Sequence, residues 1–239
     1  NHPEIKNVNF DSMKLSGCGG MATLKSTAER WYELTGKVLL EGYGLSETSP
    51  GVTVSPAYTE KFSGTVGLPI PNTEISIRDD DGNEVERGQP GEICIKGPQV
   101  MQGYWRNEEA TAEAIGDDGF FKTGDIGTMD DEGFLSITDR KKDMIIVSGF
   151  NVYPNEIEDV VCMHPNIVEA ASIGVPDEKT GEAVKLFVVL GGEQKLAKEE
   201  IIDYCRQNLA AYKVPKQIEF MAELPKTTVG KILRRELRE

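Results

Sequence analysis

The chain has 239 residues, a formal net charge of −14 at pH 7, 38% hydrophobic residues and 28% charged residues. This length suffices for about one or two globular domains with sizeable cores. The negative net charge argues against a surface that binds nucleic acids or anionic membranes. Any site for an anion must therefore be a local cluster of positive or polar groups. The four cysteines and two histidines are too widely spaced in the sequence to form a structural zinc site. The cysteines are therefore expected to be reduced thiols, as is typical of cytosolic proteins.

The first elements in chain order are of α/β type. The sequence predicts a strand at "MKLSG", an amphipathic helix at "TLKSTAERWYEL" that Gly36 ends, and a buried strand at "KVLLE". The next stretch, "GYGLSETSPG", is too rich in Gly, Ser and Pro to predict regular structure.

Residues 62–138 change to short alternating strands, which indicate a small antiparallel sheet or open barrel. The predicted strands of this section and its border are "EISIRD", "EICIKG", "GFLSI" and "DMIIVSG". From about residue 140 the pattern predicts a compact α+β domain. Its helices are "PNEIEDVVCMH", "KEEIIDYCRQNL" and a short final "KILRREL", and its strands are "VEAASIGV", "EAVKLFVVL" and "QIEFMAEL".

One glycine-rich turn offers a first functional hypothesis. Residues 17–22, "GCGGMA", fit G-x-G-x-x-G/A between a strand and a helix, and Glu41 follows about 20 residues on. This context favours a nicotinamide or flavin site with Glu41 on a ribose hydroxyl. The alternative is a glycine turn that packs a helix on a sheet. The short hairpins that follow argue against a dinucleotide fold, which needs further β-α-β units.

The loop "EGYGLSET" places three groups that suit a nucleotide close together. Tyr43 offers a flat face for a base, Ser46 a hydroxyl for a phosphate, and Glu47 a hard oxygen for Mg²⁺. Taken singly, each of these residues fits a solvated polar turn equally well.

Two later stretches add a carboxylate and a cluster of cations. In "FFKTGDIG", Asp125 follows Gly124 at a predicted turn, where its carboxylate could accept ribose hydroxyls or make an Asx-type turn. In "TDRKKDMIIVSG", residues 140–142 are all basic. They fit a solvated hairpin tip, or an interdomain hinge whose cations meet a nucleotide.

The chain closes on a fourth stretch, "PKTTVGKILRREL". A turn of Thr227, Thr228, Val229 and Gly230 is predicted to present Lys231. This basic segment is either a solvated tail or a device that carries Lys231 to a phosphate bound elsewhere in the chain.

In this order, the four stretches resemble the adenylate-forming superfamily of acyl-CoA synthetases, luciferases and adenylation domains. The patterns are Y-G-x-[ST]-E, T-G-D, D-R-x-K-D and P-K-[TS]-x-x-G-K, and the resemblance covers residues 17–237. The stretches "MDDEGFLSITDRKKDMIIVSGFNVYPNEIEDVV" and "GKILRRELR" are most similar to bacterial long-chain fatty acid–CoA ligases. The dinucleotide hypothesis becomes the least favoured, behind another acid–CoA ligase or adenylation enzyme and a non-catalytic nucleotide-binding module.

The resemblance implies ATP, Mg²⁺ and CoA as ligands and a fatty acid as substrate. The implied nucleotide-binding residues are Gly19, Gly20, Glu41, Gly42, Tyr43, Ser46, Asp125 and Arg140. Glu47 would be the catalytic Mg²⁺ ligand, and Lys231 the catalytic lysine of adenylate formation. The implied hinge residues are Asp139 and Lys142, and the implied CoA-binding residues are Gly149 and Phe150. Several relatives carry lysine where this chain has Ile146 and Ser148.

The resemblance also implies the fold and its division. Residues 1–60 would end a large α/β domain, residues 61–139 would form its β-rich subdomain, and residues 140–239 would form a mobile α+β domain. The family's phosphate loop is expected upstream and is not found here, so we expect the C-terminal part of a ligase that is inactive without its N-terminal part. A cytoplasmic location is expected, and peripheral association with the inner membrane is left open.

Overall fold

A computed structural model of the chain describes residues 2–21, 23–191, 196–228 and 230–238. The chain forms two compact units, Asn1–Ile137 (unit 1) and Thr138–Glu239 (unit 2). The sheets, and the helices that accompany them, confirm the predicted fold class of an α/β section followed by an α+β section. None of the helices in the described part of the chain combines the length and the apolar content that a membrane span requires.

Unit 1 begins with a four-stranded sheet of order β1-β2-β3-β4. Its strands are β1 (Ser16–Gly19), β2 (Leu39–Gly44), β3 (Gly51–Val54) and β4 (Leu68–Pro69). Helix α1 (Lys25–Thr35) connects the parallel strands β1 and β2, and it ends at Gly36, which has a φ of 65°. Strands β3 and β4 continue the sheet in antiparallel fashion.

Strand β2 extends further than the sequence predicted. The prediction ended this strand at Glu41, but Gly42 and Tyr43 pair with Val54 and Thr53 of β3. Glycine has a low strand propensity, but the hydrogen bonds to the neighbouring strand β3 stabilise the extended conformation here. As a consequence, Tyr43 is held by a sheet and not by a loop.

The second sheet of unit 1 has the order β5-β6-β7-β8. Its strands are β5 (Glu74–Arg78), β6 (Gly91–Lys96), β7 (Phe121–Met129) and β8 (Leu135–Arg140). Helix α2 (Glu108–Ala114), which the sequence analysis did not predict, precedes β7 and is capped by the Asn107 side chain. One core cluster joins Val52 of the first sheet to Ile93 and Leu135 of the second, so the two sheets share a core.

Unit 2 is built around one five-stranded sheet with the order β10-β9-β12-β11 and β13 paired to β12. The strands are β9 (Ile145–Val147), β10 (Phe150–Val152), β11 (Ile167–Asp177), β12 (Gly181–Leu190) and β13 (Gln217–Phe220). Helices α3 (Pro154–Cys162) and α4 (Lys198–Asn208) pack against the sheet through buried Ile157 and Ile201. A separate cluster packs the chain end against β11 and β12 through Leu237. The predicted final helix is only one short 3-10 turn, Arg234–Leu237.

The four cysteines are free thiols, as the composition indicated. Burial raises the pKa of Cys94, Cys162 and Cys205 to about 11, so these thiols stay protonated at neutral pH.

Gly44, at the end of β2, provides a test of how the first sheet holds its loop. A Cβ atom at Gly44 would lie 1.9 Å from the Pro50 carbonyl oxygen, whereas one at Gly17 would lie an ordinary 3.6 Å from the Leu40 oxygen. We therefore expect Gly44→Ala to lower the free energy of unfolding by about 1–3 kcal/mol. Gly17→Ala should change it by no more than about 0.5 kcal/mol.

Urea unfolding followed by tryptophan fluorescence measures this difference. Both tryptophans of the chain, Trp31 and Trp105, lie in unit 1, so the signal reports on that unit. Equal destabilisation by the two substitutions would show that the close approach of Gly44 to the Pro50 oxygen does not limit which side chain fits at position 44.

Candidate functional site

A hydrogen bond between the two sheets of unit 1 defines the centre of the candidate site. The Tyr43 hydroxyl on β2 donates to Asp125 Oδ2 on β7 over 2.6 Å, although the residues are 82 positions apart in sequence. Asp125 is buried, with 6% of its surface exposed. The structure thus brings together an aromatic ring and a carboxylate that the sequence analysis had assigned to the same ligand.

A bulge in β7 presents the Asp125 carboxylate. The pairing with β6 is irregular between Lys122 and Ile126, and Gly124 lies there with a φ of 70°. The Gly124 amide donates to Glu92 Oε1 over 3.1 Å, which fixes the bulge from the neighbouring strand. The predicted turn at Asp125 was wrong in this respect, because a left-handed glycine can interrupt a ladder without ending the strand.

Glu47 lies directly after β2, in the 3-10 turn Ser46–Thr48. Its Oε1 accepts a hydrogen bond from the Tyr104 hydroxyl over 3.0 Å, and its backbone oxygen accepts one from the Met101 amide over 2.8 Å. Partial burial and the Glu47 carboxylate together raise the pKa of Tyr104, so the hydroxyl remains a donor.

The donor set at Glu47 fits a magnesium ion that is shared with phosphate groups. Within the described residues, no hydrogen bond is made to Glu47 Oε2, and no group of three His, Cys, Asp or Glu residues could hold a metal ion. Mg²⁺ is commonly bound by one or two carboxylates together with substrate phosphates and water. One oriented carboxylate is therefore what such a site needs from the protein.

Three of the predicted nucleotide-binding glycines, Gly19, Gly20 and Gly42, lie at the end of β1 and on the facing part of β2, and we call them the glycine floor. Gly19 pairs with Gly42, and a Cβ atom at Gly19 would lie 2.9 Å from the Gly42 oxygen. Gly20, with a φ of 84°, turns the chain away from β1. The last position of the glycine motif, Ala22, lies outside the described residues. These glycines let backbone approach backbone and place no side chains over the strands.

The strand order of this sheet does not fit the dinucleotide hypothesis. A dinucleotide fold continues from β2 into further crossover helices and parallel strands. Here β2 is followed by the antiparallel strand β3. The glycine motif therefore belongs to a mixed sheet, whereas the dinucleotide hypothesis requires a parallel one.

In unit 2, Asp139 is the buried member of the predicted hinge. Its Oδ1 accepts from the Arg140 amide over 2.7 Å and its Oδ2 from the Asn155 amide over 2.8 Å, at the start of α3. Burial raises the pKa of Asp139, and these two bonds oppose the effect. Asp139 therefore fixes the backbone of the predicted hinge segment, and the side chains of Arg140 and Lys142 are exposed.

The predicted CoA-binding residues lie at a tight hairpin between β9 and β10. Ser148 and Gly149 have φ values of 52° and 83°, as a two-residue hairpin turn of the primed type requires. Phe150 is exposed and stacks on Tyr212 with ring centroids 4.9 Å apart. Ile146 is also largely exposed, so this hairpin presents a second apolar side chain.

Lys231 projects from a second hairpin in unit 2. The Lys231 oxygen accepts from the Thr227 amide over 2.8 Å, and the Lys231 amide donates to Thr227 Oγ1 over 3.1 Å. Gly230 has a φ of 87°, and Val229 of the predicted turn lies outside the described residues. The lysine side chain is exposed, and no ion pair to it is found in the described part of the chain.

Sequence reasoning missed the contacts that orient these residues. Tyr104 had only the aromatic pair of "GYWRN" as a signal, and no periodicity linked it to Glu47. Arg234 was interpreted as part of a basic tail, but its side chain is mostly buried. Both contacts depend on pairings over more than 50 residues of sequence, which local patterns do not report.

Comparison with known proteins identifies the family. Residues 1–105 match the family model of the AMP-binding enzyme, and residues 156–231 match that of the AMP-binding enzyme C-terminal domain. The chain belongs to the AMP-binding enzyme family. The predicted resemblance to adenylate-forming enzymes is thereby confirmed.

Individual relatives agree along the whole chain. A long-chain-fatty-acid–CoA ligase of Yersinia pestis is 56% identical over 239 residues, which is all of this chain and 42% of that enzyme. The ATP-bound crystal structure of MatB from Rhodopseudomonas palustris has a TM-score of 0.90 and 38% identity, covering 94% of this chain and 44% of that one. The o-succinylbenzoate CoA synthetase MenE of Bacillus subtilis, in complex with its acyl-adenylate intermediate, has a TM-score of 0.88 and 34% identity, covering 98% and 48%. The chain thus spans less than half the length of these AMP-binding relatives.

Glu41 gives the site a testable dependence on pH. Burial raises its pKa from 4.5 to about 7, and a hydrogen bond with Thr23 opposes the shift. The folded state therefore binds more protons than the unfolded state between these values, so the carboxyl's contribution to stability is complete below pH 4.5 and is lost as the pH rises to about 7. We expect Glu41→Gln to stabilise the chain at pH 8 by on the order of 1 kcal/mol after allowance for solvent screening.

Urea unfolding of the wild type and the variant from pH 4.5 to 8 measures this effect, with exposed Glu33→Gln as the control. The gain from Glu41→Gln should grow with pH. A gain that is constant with pH would contradict the assigned titration.

Proposed function

We propose that the chain is the C-terminal part of an ATP-dependent long-chain fatty acid–CoA ligase, an acid–thiol ligase. The bond from Tyr43 to Asp125 is the observation that carries the proposal, because it joins an aromatic face and a buried carboxylate. The relatives that carry this enzyme name are similar over the full length of the chain. Substrate and activity are inferred for the whole ligase, in which the fatty acid, ATP and CoA would be the partners. The enzyme would work in the cytoplasm, and peripheral membrane association stays a prediction.

In this proposal, unit 1 binds the nucleotide. The base lies against Tyr43 and the glycine floor, and the ribose hydroxyls donate to Asp125, which the Tyr43 hydroxyl holds in place. The Ser46 hydroxyl, at the start of the 3-10 turn, donates to the α-phosphate. Glu47 would hold Mg²⁺, which when bound neutralises charge on the phosphates.

Adenylate formation is an attack by a fatty-acid carboxylate oxygen on the α-phosphorus of ATP. The bond from the α-phosphorus to the bridging oxygen breaks, and pyrophosphate leaves with its electron pair. Negative charge builds up on the pentavalent centre, and the Lys231 ammonium is assigned to that charge. A cation that is placed for the transition state accelerates the step more than it strengthens ground-state binding.

Thioester formation uses other residues of unit 2. The CoA sulfur attacks the acyl carbon, the thiol proton is lost, and AMP leaves with the former carboxylate oxygen. The hairpin of Gly149 and Phe150 is assigned to CoA, because a glycine turn allows a ligand close to backbone. Asp139 and Lys142 are assigned to the hinge and Arg140 to the nucleotide, so that one mobile domain would serve both steps in turn.

Replacement of Lys231 tests the proposed roles. In the complete ligase, Lys231→Ala should slow adenylate formation by about 100-fold or more, in line with the loss of one transition-state charge contact. Thioester formation from supplied acyl-adenylate should keep its wild-type rate. Single-turnover assays of the two half-reactions measure this, with the exposed Lys198→Ala as the control. Equal losses in both half-reactions would argue against the assignment.

The isolated chain itself provides a second test. We expect the purified 239-residue chain to show no ATP–pyrophosphate exchange with palmitate. The family's loop for the β- and γ-phosphates, expected upstream, is not found in this sequence, and no G-x-x-x-x-G-K-[ST] motif replaces it. Calorimetry with AMP should still show heat that Asp125→Ala removes. Exchange above the enzyme-free background would contradict the expected inactivity, and absence of AMP binding would make the chain a structural piece only.

A further inference from the structure

A buried ion cluster in unit 2 is not explained by the proposed catalytic roles. Arg234 Nη2 lies 2.8 Å from Glu158 Oε2, 3.0 Å from Glu158 Oε1 and 2.9 Å from Asn155 Oδ1. The side chains of Arg234 and Glu158 are only 15% and 12% exposed. Glu158 also accepts from the Ser172 amide over 2.7 Å, so the carboxylate is fixed by β11 as well.

The same guanidinium reaches the segment that was predicted to be the hinge. Asn155, which accepts from Arg234, donates its Nδ2 to the Thr138 oxygen over 3.1 Å and its backbone amide to Asp139. Arg234 Nη1 lies 3.8 Å from Asp143 Oδ2, and Arg238 Nη2 donates to Asp143 Oδ1 over 2.9 Å. A continuous set of polar contacts therefore runs from residues 138–143 to the chain end.

Arg234 also stands at the base of the hairpin that carries Lys231. The Leu233 amide donates to the Pro225 oxygen over 2.8 Å, and Lys226 and Ile232 form an isolated antiparallel bridge. Arg234 is the next residue after this base and the third after Lys231. The position of the Arg234 side chain therefore sets the position at which the second arm of the hairpin ends.

The cluster is poorly suited to a role in stability alone. Arg234 Nε is buried and has no hydrogen-bond partner among the described residues. A buried ion pair with an unsatisfied donor contributes little compared with apolar side chains of the same volume. A guanidinium nitrogen that donates to two fixed side chains, Glu158 and Asn155, does specify direction, which a hydrophobic contact does not.

We propose that Arg234 is a positioning residue for Lys231, which fixes the lysine hairpin to helix α3 and to the hinge segment through Glu158, Asn155 and Asp143. The inference rests on the proposed function, since it gives Lys231 its catalytic role. It adds that the ammonium is oriented from within unit 2, so that movement of the hinge segment carries the hairpin with it as one body.

The structural part of the proposal is tested on the 239-residue chain without any activity assay. The double variant Arg234→Gln/Glu158→Gln removes both charges, so no unpaired carboxylate is left buried. Amide hydrogen exchange by NMR should accelerate about tenfold or more at Lys231 and Leu233, whose bonds close the hairpin, and stay unchanged at Ile201 in α4. Arg235→Gln is the matched control, because it removes the same charge from the exposed neighbouring residue.

The catalytic part is tested in the complete ligase. The double variant should lower kcat for adenylate formation by about 100-fold, as a displacement of roughly 1 Å can do. KM for ATP and the rate of thioester formation from supplied acyl-adenylate should stay near wild type. Arg234→Lys keeps the charge but has one nitrogen in place of the two that face Glu158 and Asp143. It should recover part of the lost kcat and preserve the fold if the double variant does not fold.

Unchanged exchange at Lys231 and Leu233, or equal losses in both half-reactions, would overturn the proposal. The result is separable from that of the proposed function. If Lys231→Ala slows adenylate formation and the Arg234 variants do not, the positioning role fails and the assignment of Lys231 stands. If Lys231→Ala has no effect, the catalytic role that the proposed function assigns to Lys231 fails whatever Arg234 does.

Discussion

The hydrogen bond from Tyr43 to Asp125 is the constraint on which the candidate site of unit 1 depends. It is short, at 2.6 Å, and its acceptor is a carboxylate, so it belongs to the stronger class of hydrogen bonds in proteins. Such a bond contributes roughly 1.5–3 kcal/mol, and loss of the donor would remove one partner of a buried carboxylate. Two glycines make it attainable, because Gly44 lets β2 approach Pro50 and Gly124 forms the bulge in β7.

Glu47 is likewise held by contacts from a segment that is distant in sequence. Its position after β2 follows from the pairing of Tyr43 with β3, and its orientation follows from Tyr104 and Met101. A carboxylate that is fixed before a metal arrives loses little conformational entropy when it binds one. In the proposed function, the 3-10 turn would therefore hold Glu47 ready for Mg²⁺, and the phosphates would complete the coordination.

The sequence predicted which side chains could serve a nucleotide site better than it predicted the backbone geometry that presents them. The roles of Tyr43, Glu47, Asp125 and Lys231 could be hypothesised from short motifs, because each motif joins a turn residue to a polar or charged side chain, and these roles stay predictions. The bulge at Gly124 could not be predicted, since a glycine within an apolar run fits a turn as well as an interrupted ladder.

The contacts of Tyr104 and Arg234 were beyond prediction for a different reason. Each joins segments that are 57 and 76 positions apart, and no local periodicity encodes such a pairing. Strand β2 was predicted too short on similar grounds, because the ladder with β3 overrides the weak strand propensity of glycine.

The contrast between Lys231 and Arg234 shows how burial separates the roles of two nearby cations in an acidic chain. Arg234 is surrounded by Glu158, Asp143 and Asn155, so its charge is already compensated within unit 2. Lys231, three residues earlier, keeps its ammonium in solvent on a hairpin that is closed by backbone bonds. In the proposed function, this exposed cation would meet the negative charge of the transition state, which is the condition for electrostatic stabilisation. The described bonds that close the hairpin lie inside unit 2, so the hairpin backbone would bring the lysine to the nucleotide in a set orientation.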